Sequence, residues 1–330
     1  MKNHVDRTSS KPLISIVAPF FNEEAVIDRF FEAVTCALAA LDTDWEIVCI
    51  DDGSKDATLQ RLLDHARKDR RITVLELSRN FGKEAALTAG LEASCGEVVV
   101  VLDADLQDPP ELIGQMLEKW REGFDVVYGV RRSRDDDSLA KRLTARGFYK
   151  VFNRLTSEQL PPDTGDFRLM DRRVVDRLGE LPERTRFMKG LFAWLGFRST
   201  AITYDRPRRQ QGQSAWSYWK LWNFALDGLT SFSTMPLRVW TYVGLTVSLL
   251  SFIYASFLVF RTLVAGVDLP GYASLMVVIL FLGGIQLISL GVIGEYLGRV
   301  FIEVKQRPVY LVDRVHHFDS SEDQAGTTDA

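Results

Sequence analysis

Two long apolar runs without charged residues constrain this 330-residue chain more than any other feature. Residues 239–260 and 274–293 contain no Asp, Glu, Lys or Arg. A helix of 22 residues is about 33 Å long at 1.5 Å per residue, enough to cross a hydrocarbon core of about 30 Å. Helices in soluble cores rarely stay uncharged over such a length. We therefore predict two transmembrane helices, at about 239–260 and 274–295, within residues 237–298.

Basic residues beside these runs predict their orientation. Arg238 precedes the first run, and Arg299 and Lys305 follow the second, whereas the connecting loop carries only Arg261 and Asp268. Because basic residues favour the cytoplasmic side, both termini are expected in the cytosol. This arrangement makes residues 12–210 a cytosolic domain, and residues 299–330 a cytosolic C-terminal segment and tail. Residues 1–11 are polar and are expected to be disordered.

Residues 211–236 form a predicted juxtamembrane segment. This segment contains Trp216, Trp219 and Trp222 together with Lys220. Amphipathic aromatic rings favour the headgroup layer, so we expect helices lying in the membrane interface. An ordinary core helix is the alternative.

Charge and cysteine content exclude some classes of protein. Forty basic and 44 acidic residues give a net charge of −4, which provides no broad positive field for nucleic acid. Cys36, Cys49 and Cys95 are odd in number and lie in apolar runs, so they are expected to be reduced core residues of a cytosolic domain.

The first 200 residues predict an α/β fold. Runs rich in Val and Ile alternate with stretches of helical periodicity, which indicates a mostly parallel sheet covered on both faces. The predicted strands are residues 13–21, 46–50, 72–77, 97–102 and 125–129, and the predicted helices are 24–41, 58–68, 84–93 and 110–121. Ligands of such sheets bind at the carboxyl ends of the strands.

Carboxylates follow two of these predicted strands. Asp51 and Asp52 follow the second strand, and Asp103 and Asp105 follow the fourth, with no Gly-x-Gly-x-x-Gly or Walker lysine loop nearby. Carboxylates repel a diphosphate unless a divalent cation lies between them, so the pattern predicts Mg²⁺ or Mn²⁺. An isolated Asp-x-Asp is more often a solvated turn, but its place at a buried strand end beside a second acidic strand end favours the metal site.

Several ordered motifs extend this pattern along residues 12–312. They are Pro19 to Glu23, Asp51 to Ser54, Ser78 to Glu84, Asp103 to Pro109, Thr164 to Leu169, Arg186 to Gly190, Trp219 to Asn223 and Gly294 to Arg299. Together they resemble the family 2 glycosyltransferases of GT-A fold, with a Rossmann-like sheet. Within that family the chain resembles the polyisoprenyl-phosphate glycosyltransferases, including the bactoprenol glucosyltransferases and the related dolichyl-phosphate mannose synthases.

This resemblance implies a donor site and a metal site. The implied donor-binding residues are Pro19, Phe21, Glu23, Ile50, Asp52, Asp103, Ala104 and Arg209, and the implied metal and diphosphate residues are Asp103, Asp105 and Gln107. A carboxylate such as Asp52 can accept the imide N–H of uracil, although capping the next helix is an alternative. The sequence departs from the family's pattern at Ala215, where many relatives have lysine.

The resemblance also implies a phosphate acceptor. Arg131 matches the family's phosphate-binding arginine, and Lys141, Arg142 and Arg146 are nearby candidates, with a solvated helix face as the alternative. Asp166 is the first candidate for a base or acceptor-orienting group, and Asp163 is the second. Asp105 is a further catalytic candidate through its place at the metal. An ion pair with Arg168 is the alternative for Asp166.

The expected function is therefore inverting transfer of a sugar to undecaprenyl phosphate in the bacterial inner membrane. Glucose from UDP-glucose is the leading donor, for O-antigen or another cell-envelope glycan. The alternatives are another donor, such as GDP-mannose, a UDP-aminosugar or a modified pentose, and an inactive membrane scaffold that binds lipid phosphate. A flippase would act downstream, and glycines in the second span suggest a homo-oligomer.

Overall fold

The computed structural model describes residues 11–131, 164–204, 233–265 and 271–318. Some sequence-based predictions lie outside these ranges, among them those for the N-terminal segment before residue 11, most of the interfacial segment 211–236, Lys141, Arg142, Arg146, Asp163, Arg209 and Ala215. Arg131 is described by its backbone position alone.

The described part of the N-terminal domain begins with alternating strands and helices. They are β1 (Ile14–Phe20), α1 (Ile27–Ala39), β2 (Trp45–Asp51), α2 (Thr58–Lys68), β3 (Ile72–Leu77), α3 (Lys83–Ala93), β4 (Val98–Val101), α4 (Ile113–Arg121) and β5 (Val126–Arg131). All nine predicted elements are confirmed to within a few residues.

The later elements are β6 (Thr164–Asp171), α5 (Arg172–Gly179), α6 (Met188–Trp194), β7 (Ser199–Tyr204), α7 (Met235–Ala265), α8 (Tyr272–Lys305) and β8 (Val312–His316). The strands form one eight-stranded sheet in the order β7-β5-β6-β4-β1-β2-β3-β8. Strands β6 and β8 run antiparallel to their neighbours, and the remaining pairs are parallel. The mostly parallel α/β fold is confirmed.

The antiparallel direction of β6 decides where the site forms. Arg168 of β6 pairs with Val101, the last residue of β4. Residues before Arg168 therefore extend past the carboxyl end of β4, so that Asp166 lies at the same edge of the sheet as Asp103.

Apolar side chains cover both faces of the sheet, because successive strand residues point to opposite sides. One layer joins Ile16 and Ala18 to α1, α2 and α4, and the other joins Val17 to α3, α5 and α6. All three cysteines are free; Cys49 is buried as predicted, but the prediction of core positions is wrong for Cys36 and Cys95, which are exposed. Cys36 lies on the outer side of α1, and Cys95 lies in the turn after α3.

The two apolar runs form the long helices α7 and α8. Their stretches Leu237–Phe257 and Val277–Lys305 are long and apolar enough to cross a membrane, and neither stretch is buried within the protein. Helix α8 continues beyond the predicted span to Lys305, and the chain then returns to the sheet as β8. This strand was not predicted from the sequence.

Gly90 lets helix α3 pack directly against the side chains of the sheet. A Cβ atom at this position would lie 2.4 Å from Ile50 Cδ1 and 2.5 Å from Val17 Cγ1. Because α3 also begins at Lys83, its distance from the sheet helps to set the position of that side chain.

We expect Gly90→Ala to destabilise the domain by about 1–3 kcal/mol, because overpacking displaces α3 from the sheet. The measurement is thermal unfolding of the detergent-solubilised protein. Gly179→Ala is the control, since no atom lies within 4 Å of its added Cβ. An unchanged melting temperature for Gly90→Ala would contradict this account of the packing.

Candidate active site

The loop after β4 holds the residues of the predicted metal site. Leu106 adopts the left-handed backbone conformation with φ of 52°, and the Gln107 N–H donates to Asp105 Oδ1 at 3.1 Å. Gln107 and Asp108 are buried, and the Tyr204 hydroxyl on β7 donates to Asp108. The turn therefore has fixed internal contacts and brings Asp103, Asp105 and Gln107 to one edge of the sheet.

A lysine links two of the predicted carboxylates. Lys83, the first residue of α3, places its Nζ 2.7 Å from Asp103 Oδ1 and 2.5 Å from Asp166 Oδ2. Lys189 at the start of α6 places its Nζ 3.8 Å from Asp166 Oδ1. The structure thus joins a residue predicted for the diphosphate end with the residue predicted to act on the acceptor.

These ion pairs determine the charge state of Asp166. Burial alone would raise its pKa, but Lys189 and Lys83 outweigh burial and hold the pKa of Asp166 well below its ordinary value. Burial likewise would lower the pKa of Lys83, but Asp166 and Asp103 hold it above the ordinary value. Lys83 and Asp166 are therefore both charged at neutral pH.

Arg168, the alternative ion-pair partner of Asp166, contacts main-chain oxygens and an aromatic ring. The Arg168 guanidinium donates to the main-chain oxygens of Gly165 at 3.1 Å and Asp166 at 3.3 Å. It also lies 3.8 Å from the centroid of the Phe192 ring. Arg168 therefore braces the backbone of β6, while the Asp166 carboxylate turns towards Lys83.

Asp52 orders the loop that leads into α3. Its two oxygens accept the backbone N–H groups of Phe81 at 2.7 Å and Gly82 at 2.9 Å. The Thr58 N–H at the start of α2 is bonded by Asp56 instead, so the alternative of Asp52 as a cap for that helix is wrong. Gly82 has a φ of 97°, which glycine tolerates best, so the turn into Lys83 depends on this residue.

The other predicted donor residues lie around the ends of β1 and β2. Phe21 is exposed just beyond β1, whereas Ile50 is fully buried beneath α3. Glu23 donates its backbone N–H to Thr58 Oγ1 at 2.8 Å, one of several bonds that join the loops after the two strands. Pro19 is in β1, and Ala104 is buried in the β4 loop. These positions surround one end of the sheet but differ in their access to a ligand.

The predicted acceptor arginine ends β5 at this same edge. Val130 of β5 pairs with Thr164 at the start of β6, so the backbone of Arg131 lies close to the strand that carries Asp166. This placement brings Arg131 and Asp166 to one side of the site.

Three charged residues of the site received no role from sequence reasoning. Lys83, Glu84 and Lys189 all stand in the motifs that carry the resemblance, at residues 78–84 and 186–190. A lysine or glutamate at the start of a helix is usually solvated, so the residue type alone does not indicate a functional role. The sequence signal for these three residues was their place in the motifs. Their contacts with Asp166 and with α6 appear only in three dimensions.

The oxygen ligands at the β4 loop suit a hard divalent cation. Within the described residues, no three His, Cys, Asp or Glu side chains form a metal cluster. The predicted set consists of two carboxylates and the Gln107 amide, and Gln107 is 4% exposed with Nε2 lacking a hydrogen-bond partner. The unpaired Nε2 is a donor, so it fits an acceptor such as a phosphate oxygen, since burying it unpaired costs free energy. The amide oxygen of the same side chain is the atom that could bind a cation.

Comparison with known proteins identifies the family. Residues 15–179 match the glycosyl transferase family 2 domain, and residues 235–300 match the GtrB C-terminal hairpin. The chain is 60% identical over 299 residues to an uncharacterized glycosyltransferase of Synechocystis, covering 91% of this chain and 94% of that protein. The chain belongs to glycosyltransferase family 2. It is therefore a glycosyltransferase of GT-A fold.

Other known proteins are also similar to this chain. A prophage-derived bactoprenol glucosyl transferase of Shigella flexneri is 48% identical over 303 residues, covering 92% of this chain and 98% of that protein. Glucosyl-3-phosphoglycerate synthase of Mycobacterium tuberculosis, solved with Mn²⁺ and UDP-glucose, is 17% identical with a TM-score of 0.47, covering 68% of this chain and 80% of that one.

Glu84 gives the domain a specific dependence on pH. Its Oε2 accepts the Met188 N–H at 3.0 Å, and burial, with Asp166 nearby, raises the pKa of Glu84 to about 7. The folded protein therefore binds this proton more tightly than the unfolded chain does. The stability contributed by Glu84 is complete below its unfolded pKa and is lost as pH rises through about 7.

We expect Glu84→Gln to remove part of this pH dependence, since the amide oxygen can still accept from Met188. At pH 8 the variant should be about 1–3 kcal/mol more stable than the wild type, and the difference should vanish near pH 5. Melting temperatures measured from pH 5 to 8 check this, with the exposed Glu118→Gln as control. Parallel curves for the wild type and Glu84→Gln would contradict the assignment.

Proposed function

We propose that this enzyme transfers glucose, with inversion, from UDP-glucose to undecaprenyl phosphate at the cytosolic face of the bacterial inner membrane. The observation that carries the proposal is the joining of Asp103 and Asp166 through Lys83 in a family 2 chain with two membrane-length helices. The 48% identity to a protein named bactoprenol glucosyl transferase supports the choice of sugar and lipid.

The donor nucleotide would bind at the ends of β1, β2 and β4. Exposed Phe21 offers an aromatic face to the base, and Asp52 offers carboxylate lone pairs beyond the two backbone bonds that it accepts. Ile50 would act by supporting the site from beneath. The remaining proposed donor residues are Pro19, Glu23, Asp103, Ala104 and Arg209.

Asp105 and Gln107, with Asp103 beside them, would hold Mg²⁺ or Mn²⁺. Bound there, the ion would offset the charge that develops on the leaving diphosphate. Lys83 contributes a second positive charge at the same place, because its ammonium group is fixed by Asp103 and Asp166. The leaving group thus departs into a region with positive charge already arranged.

The acceptor phosphate would enter beside Asp166 and Arg131, with Asp163, Lys141, Arg142 and Arg146 as further proposed contacts. A phosphate is already ionised near neutral pH, so little proton removal is required. Asp166 remains ionised and paired with Lys83 and Lys189, which suits orientation of these cations towards the acceptor. Attack from the side opposite the diphosphate would give a β-linked lipid product.

The two long helices would place this chemistry at the membrane surface. A polyprenyl tail confines the acceptor phosphate to the bilayer, so anchoring the enzyme turns the encounter into a local search. With both termini in the cytosol, the product would form on the inner leaflet and require a flippase. Assembly as a homo-oligomer through the glycines of α8 is part of the same proposal.

The first test offers the purified protein undecaprenyl phosphate and Mn²⁺ with labelled UDP-glucose, UDP-N-acetylglucosamine or GDP-mannose in parallel. We expect label in the lipid phase from UDP-glucose. Label from another donor would show that the enzyme transfers a sugar other than glucose. If no donor gives lipid label although UDP binds, the alternative of a scaffold that binds lipid phosphate would be favoured, and Ala215→Lys would be assayed next.

We expect Asp105→Asn to lower the rate of transfer at least about 100-fold, since a neutral amide binds the cation weakly. The measurement is label transfer over a range of Mn²⁺ concentrations. Asp313→Asn, whose ion pair is with adjacent Arg314, is the control. Wild-type transfer at low Mn²⁺ by Asp105→Asn would rule out this residue as a ligand.

We expect Lys83→Met to lower kcat by about 100-fold or more, because Asp103 and Asp166 then face each other without the bridging charge. Lys83→Arg should retain more activity because the charge is kept. Single-turnover transfer measures the effect, with Lys119→Met as control, since Lys119 pairs with Glu122 on the surface of α4. Equal rates for Lys83→Met and the wild type would show that the ion bridge has no part in the reaction.

A further inference from the structure

The second membrane-length helix ends in direct contact with the catalytic domain. Glu303, in the last turn of α8, accepts the Arg184 N–H at 2.9 Å through Oε1 and at 3.1 Å through Oε2. It also accepts the Thr185 N–H at 3.2 Å. Glu303 is half-buried, whereas Phe301, Ile302 and residues 304–308 are exposed. A carboxylate bound to two backbone N–H groups forms charge-assisted hydrogen bonds, which are stronger than neutral ones.

The segment that Glu303 holds has fixed contacts of its own. Arg186 donates to the main-chain oxygens of Leu181 at 2.9 Å and Glu183 at 3.2 Å. Residues 181–186 are thereby closed into a compact turn. A displacement of Thr185 would therefore move the whole turn.

This turn leads directly into the candidate active site. Only two residues separate Thr185 from Met188, whose N–H donates to Glu84 at 3.0 Å. The next residue, Lys189, lies 3.8 Å from Asp166. A short path of hydrogen bonds, main chain and one ion pair therefore connects the end of α8 with the carboxylate proposed to orient the acceptor.

A second set of contacts holds the chain after α8 to the domain. Tyr310 donates its hydroxyl to Glu92 at 2.6 Å, the Ser78 N–H donates to Leu311 O at 3.0 Å, and β8 pairs with β3. These contacts fix the C-terminal segment to β3 and α3. Tyr310 and Glu92 line the same cavity as residues 181–184, so the two attachments adjoin each other. The Glu303 contacts are made to the backbone of the turn that precedes Lys189, whereas the contacts of Tyr310 and Leu311 are made to α3 and to the end of β3.

From these contacts we propose that Glu303 is a positioning residue that sets the height of Lys189 and Asp166 relative to the membrane surface. The inference rests on the proposed function, since height matters only for an acceptor whose phosphate is held at the bilayer. A misplacement of about 1 Å at a reacting group can cost about 100-fold in rate. Glu303 acts through the turn at 184–185 and does not touch the reactants.

A purely structural role predicts a different pattern of loss. If Glu303 only stabilised the fold, its removal would weaken transfer to every acceptor alike. If it sets height, a short-chain acceptor that diffuses freely in solution can adjust its position, whereas an acceptor embedded in a bilayer cannot.

The kinetic test compares undecaprenyl phosphate in vesicles with a water-soluble, short-chain prenyl phosphate. For Glu303→Ala we expect kcat/KM to fall about tenfold or more with the vesicle acceptor and to stay within about twofold with the soluble one. Glu303→Gln should recover most of the loss, because its amide oxygen still accepts an N–H. Asp313→Ala is the control in the same C-terminal segment. Equal losses with both acceptors, or none with either, would overturn the proposal.

Hydrogen exchange tests the mechanical connection without relying on transferase activity. In Glu303→Ala we expect exchange to accelerate about tenfold at the amides of Arg184, Thr185 and Met188, with that of α2 unchanged. Unchanged exchange at Met188 would overturn the proposal even if the enzyme is active. If the wild type transfers sugar to neither acceptor, the proposed function fails, and the exchange result still decides whether Glu303 governs this turn.

Discussion

The arrangement of the site depends on one ammonium group between two carboxylates. Asp103 follows a parallel strand, and Asp166 lies on an antiparallel one; without a cation between them their charges would repel at this edge. Lys83 supplies that charge from the first residue of α3. Removing Lys83 from between these partly buried carboxylates would leave their charges uncompensated, which costs free energy. The position of α3, set by Gly90 and by the loop that Asp52 holds, therefore has direct consequences for the chemistry.

Much of the fold could be predicted from local pattern. Runs of Val and Ile between helical stretches located β1 to β5, and the uncharged runs located α7 and α8. Strands β6 and β8 follow from pairing with residues far away along the chain. The five residues of β8 include Asp313, Arg314 and His316, and its place is decided by the free edge of β3 and by the return of the chain from α8. No local periodicity contains that information.

The candidate site was predictable where the chemistry follows from spacing. Asp103 and Asp105 lie two residues apart after a strand, and the structure brings them to the sheet edge. Gln107 was implied by the family resemblance alone. Lys83 and Lys189 were not assigned because a lysine at a helix start gives no local indication of its partner. Asp52 follows β2, as the strand prediction implied, but its backbone partners in the 81–82 turn lie about 30 residues away along the chain and could not be deduced from sequence spacing.

The electrostatics of Asp166 also bear on the kind of acceptor that suits this site. Transfer to a hydroxyl group needs a base that binds a proton during the reaction, and such a base works best with a pKa near the working pH. Lys189 and Lys83 hold the pKa of Asp166 far from that range. A phosphate monoester brings its own ionised oxygen and requires fixed positive charge more than proton removal. The same lysines that make Asp166 a poor base therefore make its surroundings favourable for an anionic acceptor, which is the chemistry expected of a lipid phosphate held at the membrane surface.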